Sequence, residues 1–145
     1  MLFRLGRQST AVTALFTAGV FLYSQDFDKE LEAKVNRLIE KNGSGTDQAL
    51  RLRLIAMGRR DQAVRTQEYF SDKASAHLVQ KQERVDGELT AELKQIVAEK
   101  GRPVIALVGL QASEEAALVL THSRDHGFQR QLVPQLQQLA VDGKI

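Results

Sequence analysis

The stretch Leu54-Ile-Ala-Met-Gly-Arg-Arg-Asp-Gln-Ala-Val-Arg65 decides how the chain is read. Leu50, Leu54, Met57 and Val64 recur at helical spacing and form one apolar face. Asp61 falls in the middle of that face, where a leucine would be expected. Arg65 follows one turn later, within reach of it. A charge on a core-facing stripe is costly unless it is paired or used. The bland reading is an ion pair that fixes helix packing. The functional reading is a site in which Asp61, Gln62 and Arg65 offer acceptor and donor groups to a ligand.

Working outward, helical patterns dominate. Residues 26–42 carry Phe27, Leu31, Val35, Leu38 and Ile39 at the right spacing, with acids in the first turns, and close on Asn42-Gly43-Ser44-Gly45. Thr46 or Asp47 can cap the next helix, which is expected to run to about Phe70 with Gly58 as its weak point. Ser71 to Glu83 has a short apolar stripe at Ala74, Leu78 and Val79, so a helix with a break near Ser71-Asp72 is expected; His77 lies among polar neighbours. Asp86 reads as the cap of a helix from Gly87 to Lys100, ended by Gly101 and Pro103. Val104-Ile-Ala-Leu-Val-Gly109 has the composition of a buried strand. No partner strand is evident and a lone strand is not stable, so an irregular buried connection is expected.

Ser113 is the expected cap of a helix whose residues Ala116 to Leu120 are apolar on all sides, and which closes at Thr121-His122-Ser123. Arg124-Asp125-His126-Gly127 makes a turn. The last helix runs from about Phe128 to Val141, with Leu132, Val133, Leu136, Leu139 and Ala140 inward and its regular part beginning near Pro134. The expected fold is all-α: a single compact domain of about five helices, residues 26–145, with a buried Gly/Pro connection.

Residues 1–24 read differently. Arg4 and Arg7 precede an apolar run from Ala11 to Tyr23, and no charge lies between Arg7 and Asp26. That is the layout of a secretory signal. Its apolar core is shorter than the ~20 residues that span a bilayer comfortably. Three readings stand: a signal cleaved near Ser24, an uncleaved anchor over residues 9–23, or a buried first helix of a cytosolic protein. The first two place the domain outside the cytoplasm, secreted or in the cell envelope, and limit membrane contact to this segment.

Composition narrows the rest. The chain has 145 residues, 43% apolar and 26% charged, enough core for one ordinary domain. Net charge is +2, and removing Arg4 and Arg7 leaves 18 basic against 18 acidic residues. No basic face is interleaved with aromatics, so nucleic-acid binding is not indicated. With no cysteine there is no thiol nucleophile, disulfide or thiolate metal site. No phosphate loop, nucleophile elbow or zinc-protease helix is present, and neither a cofactor nor a metal is expected.

His122, alone on an apolar helix, is either a satisfied core histidine or an acid–base group. Asp125 lies three residues on, where it could orient the ring. A His122–Asp125 pair near an Asp61–Arg65 pair makes a plausible acid–base site.

The run Asp61-Gln62-Ala-Val-Arg65 resembles the Asp-Gln-x-x-Arg motif of a largely bacterial group, domain of unknown function 6624. Asp86, Leu93-Lys94-Gln95-Ile96, Gly101-Arg102-Pro103, Leu107-Val108-Gly109, Ala112, Ala116, Ala117, His122, Phe128-Gln129 and Pro134 follow in the family's order. The likeness covers about Leu50 to Gly143. Leu89 stands where the family usually has asparagine, and Thr121 where it has glutamine before the histidine. A later segment with Ala-Tyr-Leu-x-Asp-Arg and Tyr-Gly-Thr-Gln patterns would be expected and is not in this sequence, which suggests a degenerate or truncated member. The resemblance implies a mostly helical, often exported domain and assigns no activity.

Three functions follow as expectations. The first is an exported, non-catalytic helical module that binds a small ligand or an envelope protein. The second is a hydrolase- or transferase-type enzyme with His122 as acid or base and Asp61 and Arg65 binding substrate. It requires those three side chains to converge. The third is a purely structural domain.

Overall fold

A computed structural model describes residues 27–66 and 75–144. The expected signal or anchor at 1–24 and the break near Ser71-Asp72 lie outside the described residues. The chain divides into two units, residues 1–37 and 38–145. In the first, residues 27–37 are helical, and Phe27 and Leu31 stand exposed on a stripe expected to face a core. The helix, α1, ends at residue 42 within the second unit, where Ile39 is also exposed and Leu38 is half-buried.

The second unit holds five further helices among the described residues: α2 (Gln48–Ala63), α3 (Ala76–Lys100), α4 (Ile105–Val108), α5 (Leu110–His122) and α6 (His126–Val141). No strand occurs among the described residues, so the all-α expectation holds. Asp47 caps α2 by accepting from the backbone NH of Leu50 at 2.9 Å. α2 stops at Ala63, well before Phe70. Its inward face carries Leu50, Leu54, Met57, Asp61 and Val64, the spacing read from the sequence.

α3 begins eleven residues before Gly87, capped by Ser75. Asp86 is therefore an interior residue and not a cap. It lies on the buried stripe with Gln82, Val85, Leu89, Leu93 and Ile96, and Gly87 occupies the exposed side of the helix.

The segment 104–109 is neither strand nor irregular. Ile105–Val108 forms one helical turn, with Val108 N–H donating to Val104 O and Gly109 N–H to Ile105 O. A buried segment without a partner strand must satisfy its backbone locally. One turn does so, and it sends Ile105 and Val108, both 0% exposed, into the core while Ala106 faces out. The free carbonyl of Leu107 accepts from the NH groups of both Thr46 and Asp47, which fastens α4 to the start of α2. Here the chains touch backbone to backbone. A Cβ on Gly45, whose φ is +94°, would lie 2.4 Å from Gly109 N. Only glycine fits so close an approach at that φ.

α5 is central. It packs chiefly on α2 and also against α3 and α4. Ala112 and Ala116 are buried, and the Glu115 side chain of α5 lies across Gly58 of α2, which accounts for that glycine. Gly109, not Ser113, holds the N-cap position; Ser113 is buried in the first turn. α6 starts at His126, two residues earlier than expected, with Asp125 as its cap. It runs through Pro134 without interruption, so the carbonyl of Arg130 has no helical donor. Phe128 and Leu132 face the core, Leu136 and Leu139 are half-buried, and Val133 and Ala140 are exposed, against expectation. The C-terminal turn is tied in by Asn42, which donates to the carbonyls of Leu38 and Gly143 at 2.9 Å each, and by Ile105 N–H donating to Lys144 O.

Candidate functional site

Four ionisable side chains from three helices meet where α2, α3 and α5 pack. Asp61 comes from α2, Arg65 from the turn just after it, Asp86 from the middle of α3 and His122 from the last residue of α5. Each is placed by an apolar stripe. Asp61 sits between Met57 and Val64, Asp86 between Val85 and Leu89, and His122 follows Val119 and Leu120. Packing the stripes together forces the polar members together as well.

Asp61 is 1% exposed. Its carboxylate accepts from Gln62 Nε2 at 2.8 Å and lies 2.9 Å from Arg65 Nη1. His122 Nδ1 lies 2.9 Å from both of its oxygens. Arg65 Nη1 also donates to the backbone carbonyl of Asp61 at 2.8 Å. The other end of the guanidinium, Nη2, donates to Asp86 Oδ1 at 2.8 Å. Gln82 Nε2 donates to Asp86 Oδ2 at 2.7 Å, and Thr90 Oγ1 to the Asp86 carbonyl at 2.7 Å. Arg65 is thus a bridge between two buried carboxylates. Its fork of fixed N–H groups suits that task, where lysine would offer a point charge. The one buried side-chain polar atom without a partner among the described residues is Gln82 Oε1.

An ionised carboxylate only accepts. Opposite Asp61, Nδ1 of His122 must therefore carry the proton. In the neutral ring this leaves Nε2 with a free lone pair. Nε2 has no hydrogen-bond partner among the described residues, and the His122 side chain remains 29% exposed. The arrangement is that of an imidazole oriented through one nitrogen by a buried carboxylate, with the other nitrogen available to move a proton.

Of the residues read from the sequence, Asp61, Gln62, Arg65 and His122 come together. Asp125 does not join them. One oxygen accepts from Phe128 N–H at 2.9 Å in the α6 cap, and the other pairs with Lys94. The hydrogen bond from Lys94, then that from the Phe128 backbone, holds its carboxyl below the usual aspartate range. The orienting partner of His122 is Asp61, 61 positions away in sequence and not three. Asp86 and Gln82 were missed as members. The signal for Asp86 was the one that found Asp61, a carboxylate on an apolar helical stripe. Among the described residues no group of three or more histidine and carboxylate side chains is placed to hold a metal ion. No described helix is long and apolar enough to cross a membrane.

No curated protein and no solved structure matches the chain. A family model does match, over residues 48–145, a span that takes in α2 to α6 and every member of the site. The chain belongs to the family of unknown function DUF6624.

Proposed function

We propose that the Asp61–His122 pair is an acid–base centre of hydrolase or transferase type, with His122 Nε2 as the proton-moving atom. One observation carries the reading: a buried carboxylate addresses Nδ1 while the rest of the ring reaches solvent. Arg65 and Asp86 hold Asp61 in place from behind. No substrate need be known to test the centre. A neutral imidazole with a free, oriented Nε2 is acylated by diethyl pyrocarbonate, and mass spectrometry reads the sites. The protein carries two internal references, His77 and His126, both exposed. His122 should react at least as fast as either reference despite its smaller exposure, and Asp61→Asn should slow it selectively. If His122 reacts more slowly than both, or equally in Asp61→Asn, the centre is not an activated base.

The amino-terminal pattern of Arg4 and Arg7 before an apolar run supports the further proposal that this domain works outside the cytoplasm. Its ligand there would be a small molecule or an envelope protein. Fractionation of cells expressing the full chain tests it, and recovery wholly in the cytosolic fraction would overturn it.

A further inference from the structure

α5 presents two faces. Glu115 and His122, two turns apart, meet α2. Ser113, Ala117 and Leu120 line a cavity of about 300 Å³, within the usual range for small-molecule sites. Leu93 and Val97 of α3, Leu132 and Leu136 of α6 and Leu38 near the end of α1 supply most of the remaining wall. Alanines at 116, 117 and 140 leave the space open. A void of this size forfeits contacts that larger side chains would make. Such side chains are compatible with the same helical stripes, as Leu120 and Leu136 show, so the hollow is a property of this sequence and not of the fold.

The wall exposes almost no polar surface. Arg102 borders the cavity, but it also lines a separate, half-polar hollow with Gln131 and Gln135. Against a wall so poor in polar atoms, Arg102 offers its methylene stem and keeps the guanidinium outside. Glu114 borders the cavity and is exposed, so its carboxylate stands in water at the rim. An occupant therefore meets apolar walls inside and a negative charge at the entrance. A charged or hydrogen-bonding group carried inward would lose its water without replacement.

We infer that this cavity binds an uncharged, compact, hydrocarbon-like molecule. An apolar cavity of about 150 Å³ stays dry and takes up benzene, so one of twice that volume suits two fused rings, about ten carbon atoms. Burial of apolar surface drives the association. The want of polar partners in the wall and the carboxylate of Glu114 at the rim select against anions. The site lies on the cavity face of α5 and the His122 centre on the α2 face, so neither reading rests on the other.

Equilibrium dialysis of the full chain against naphthalene tests the inference. One molecule should bind per chain, saturably. 1-Naphthoate brings a carboxylate to the rim beside Glu114 and should bind about tenfold more weakly. Glu114→Gln should narrow that gap and leave naphthalene binding unchanged. 2,6-Naphthalenedicarboxylate carries a charge at each end, one of which must enter the apolar space, and should not bind. Ala117→Phe should abolish naphthalene binding. 1-Azidonaphthalene photolysed on the native chain should label the cavity walls, a readout that survives if Ala117→Phe does not fold. No saturable binding of naphthalene, equal binding of naphthalene and the dicarboxylate, or labelling confined to residues away from the cavity would each overturn the inference.

Discussion

Replacing Arg65 tests whether the polar cluster is truly buried and coupled. In Arg65→Met the flexible thioether keeps most of the volume, but Asp61 and Asp86 both lose their cation. The two carboxylates are 1% and 2% exposed, and Arg65 itself is 7% exposed. Removing one partner of a buried pair typically costs about 3–5 kcal/mol, because the remaining charge is left desolvated. Here two charges are left, though each keeps neighbours: Gln62 and His122 for Asp61, Gln82 for Asp86. The loss is therefore placed within that range and not above it. It is a large part of the ~5–15 kcal/mol that holds a domain together. At an m-value of about 1.5 kcal/mol per molar urea, it lowers the unfolding midpoint by roughly 2–3 M.

The same helix supplies the control. Arg60 also bridges two carboxylates, Glu88 and Glu92, but its side chain is 47% exposed. Surface pairs of this kind contribute about 0–1 kcal/mol, so Arg60→Ala should barely move the midpoint. Arg65→Lys should fall between, since an ammonium can serve one carboxylate well and not both. Urea unfolding by far-ultraviolet circular dichroism measures all three. An Arg65→Met cost within about 1 kcal/mol of that of Arg60→Ala would show that water reaches the cluster, and the argument from burial would fail.

Two further outcomes follow from the fold and its charges. Gly45→Ala should destabilise by more than the ~1 kcal/mol of an ordinary glycine substitution, because its Cβ would strike the backbone of Gly109 and Val108. Gly43→Ala, at φ +78° with open space around it, should show only the conformational strain, and thermal melts would separate the two. On the acid side, burial raises the Glu92 carboxyl, but the hydrogen bonds and charges of Arg53 and Arg60 outweigh it and hold the pKa below the usual glutamate value of 4.5. A depressed carboxyl favours the folded state above that value and ceases to do so as pH falls through the folded pKa. Stability should decline below about pH 4.5, and less steeply in Glu92→Gln, measured by urea midpoints across that range.

The sequence made the helices of the core legible where stripe and cap agree. α2 and α5 announce themselves through Leu50, Leu54 and Met57, and through Ala116 to Leu120. The errors share a physical origin. Asp86 beside Gly87 imitates a helix start, so one continuous helix, Ala76–Lys100, reads in the sequence as two. Val104 to Gly109 has a strand's composition and no partner strand, so it reads as irregular; composition does not reveal that one helical turn satisfies its backbone. Phe27, Leu31 and Ile39 have the right period, yet all three side chains are exposed. His122 and Asp125 are close in sequence, yet the chain turns extended at Ser123 and commits Asp125 to the next helix start. A pair brought together by tertiary packing carries no spacing rule. What could be read was the anomaly at each end, a charge or an imidazole where a leucine would fit.

The distinction between clamp and site turns on His122. A clamp for α2 and α3 is complete with Arg65 between Asp61 and Asp86, two carboxylates and a forked cation sealed by apolar neighbours. His122 adds a further donor to a carboxylate already served by Arg65 and Gln62. It does so from the end of α5, where the ring is the one ionisable member of the cluster that keeps a substantial solvent-facing edge. For packing alone, a leucine there would extend the stripe of Val119 and Leu120 without a polar group to satisfy. An imidazole fixed on one side by a buried carboxylate and open on the other adds no further fastening of α2 to α3. It does set the tautomer and direction of an accessible nitrogen, and that is the property an acid–base group requires.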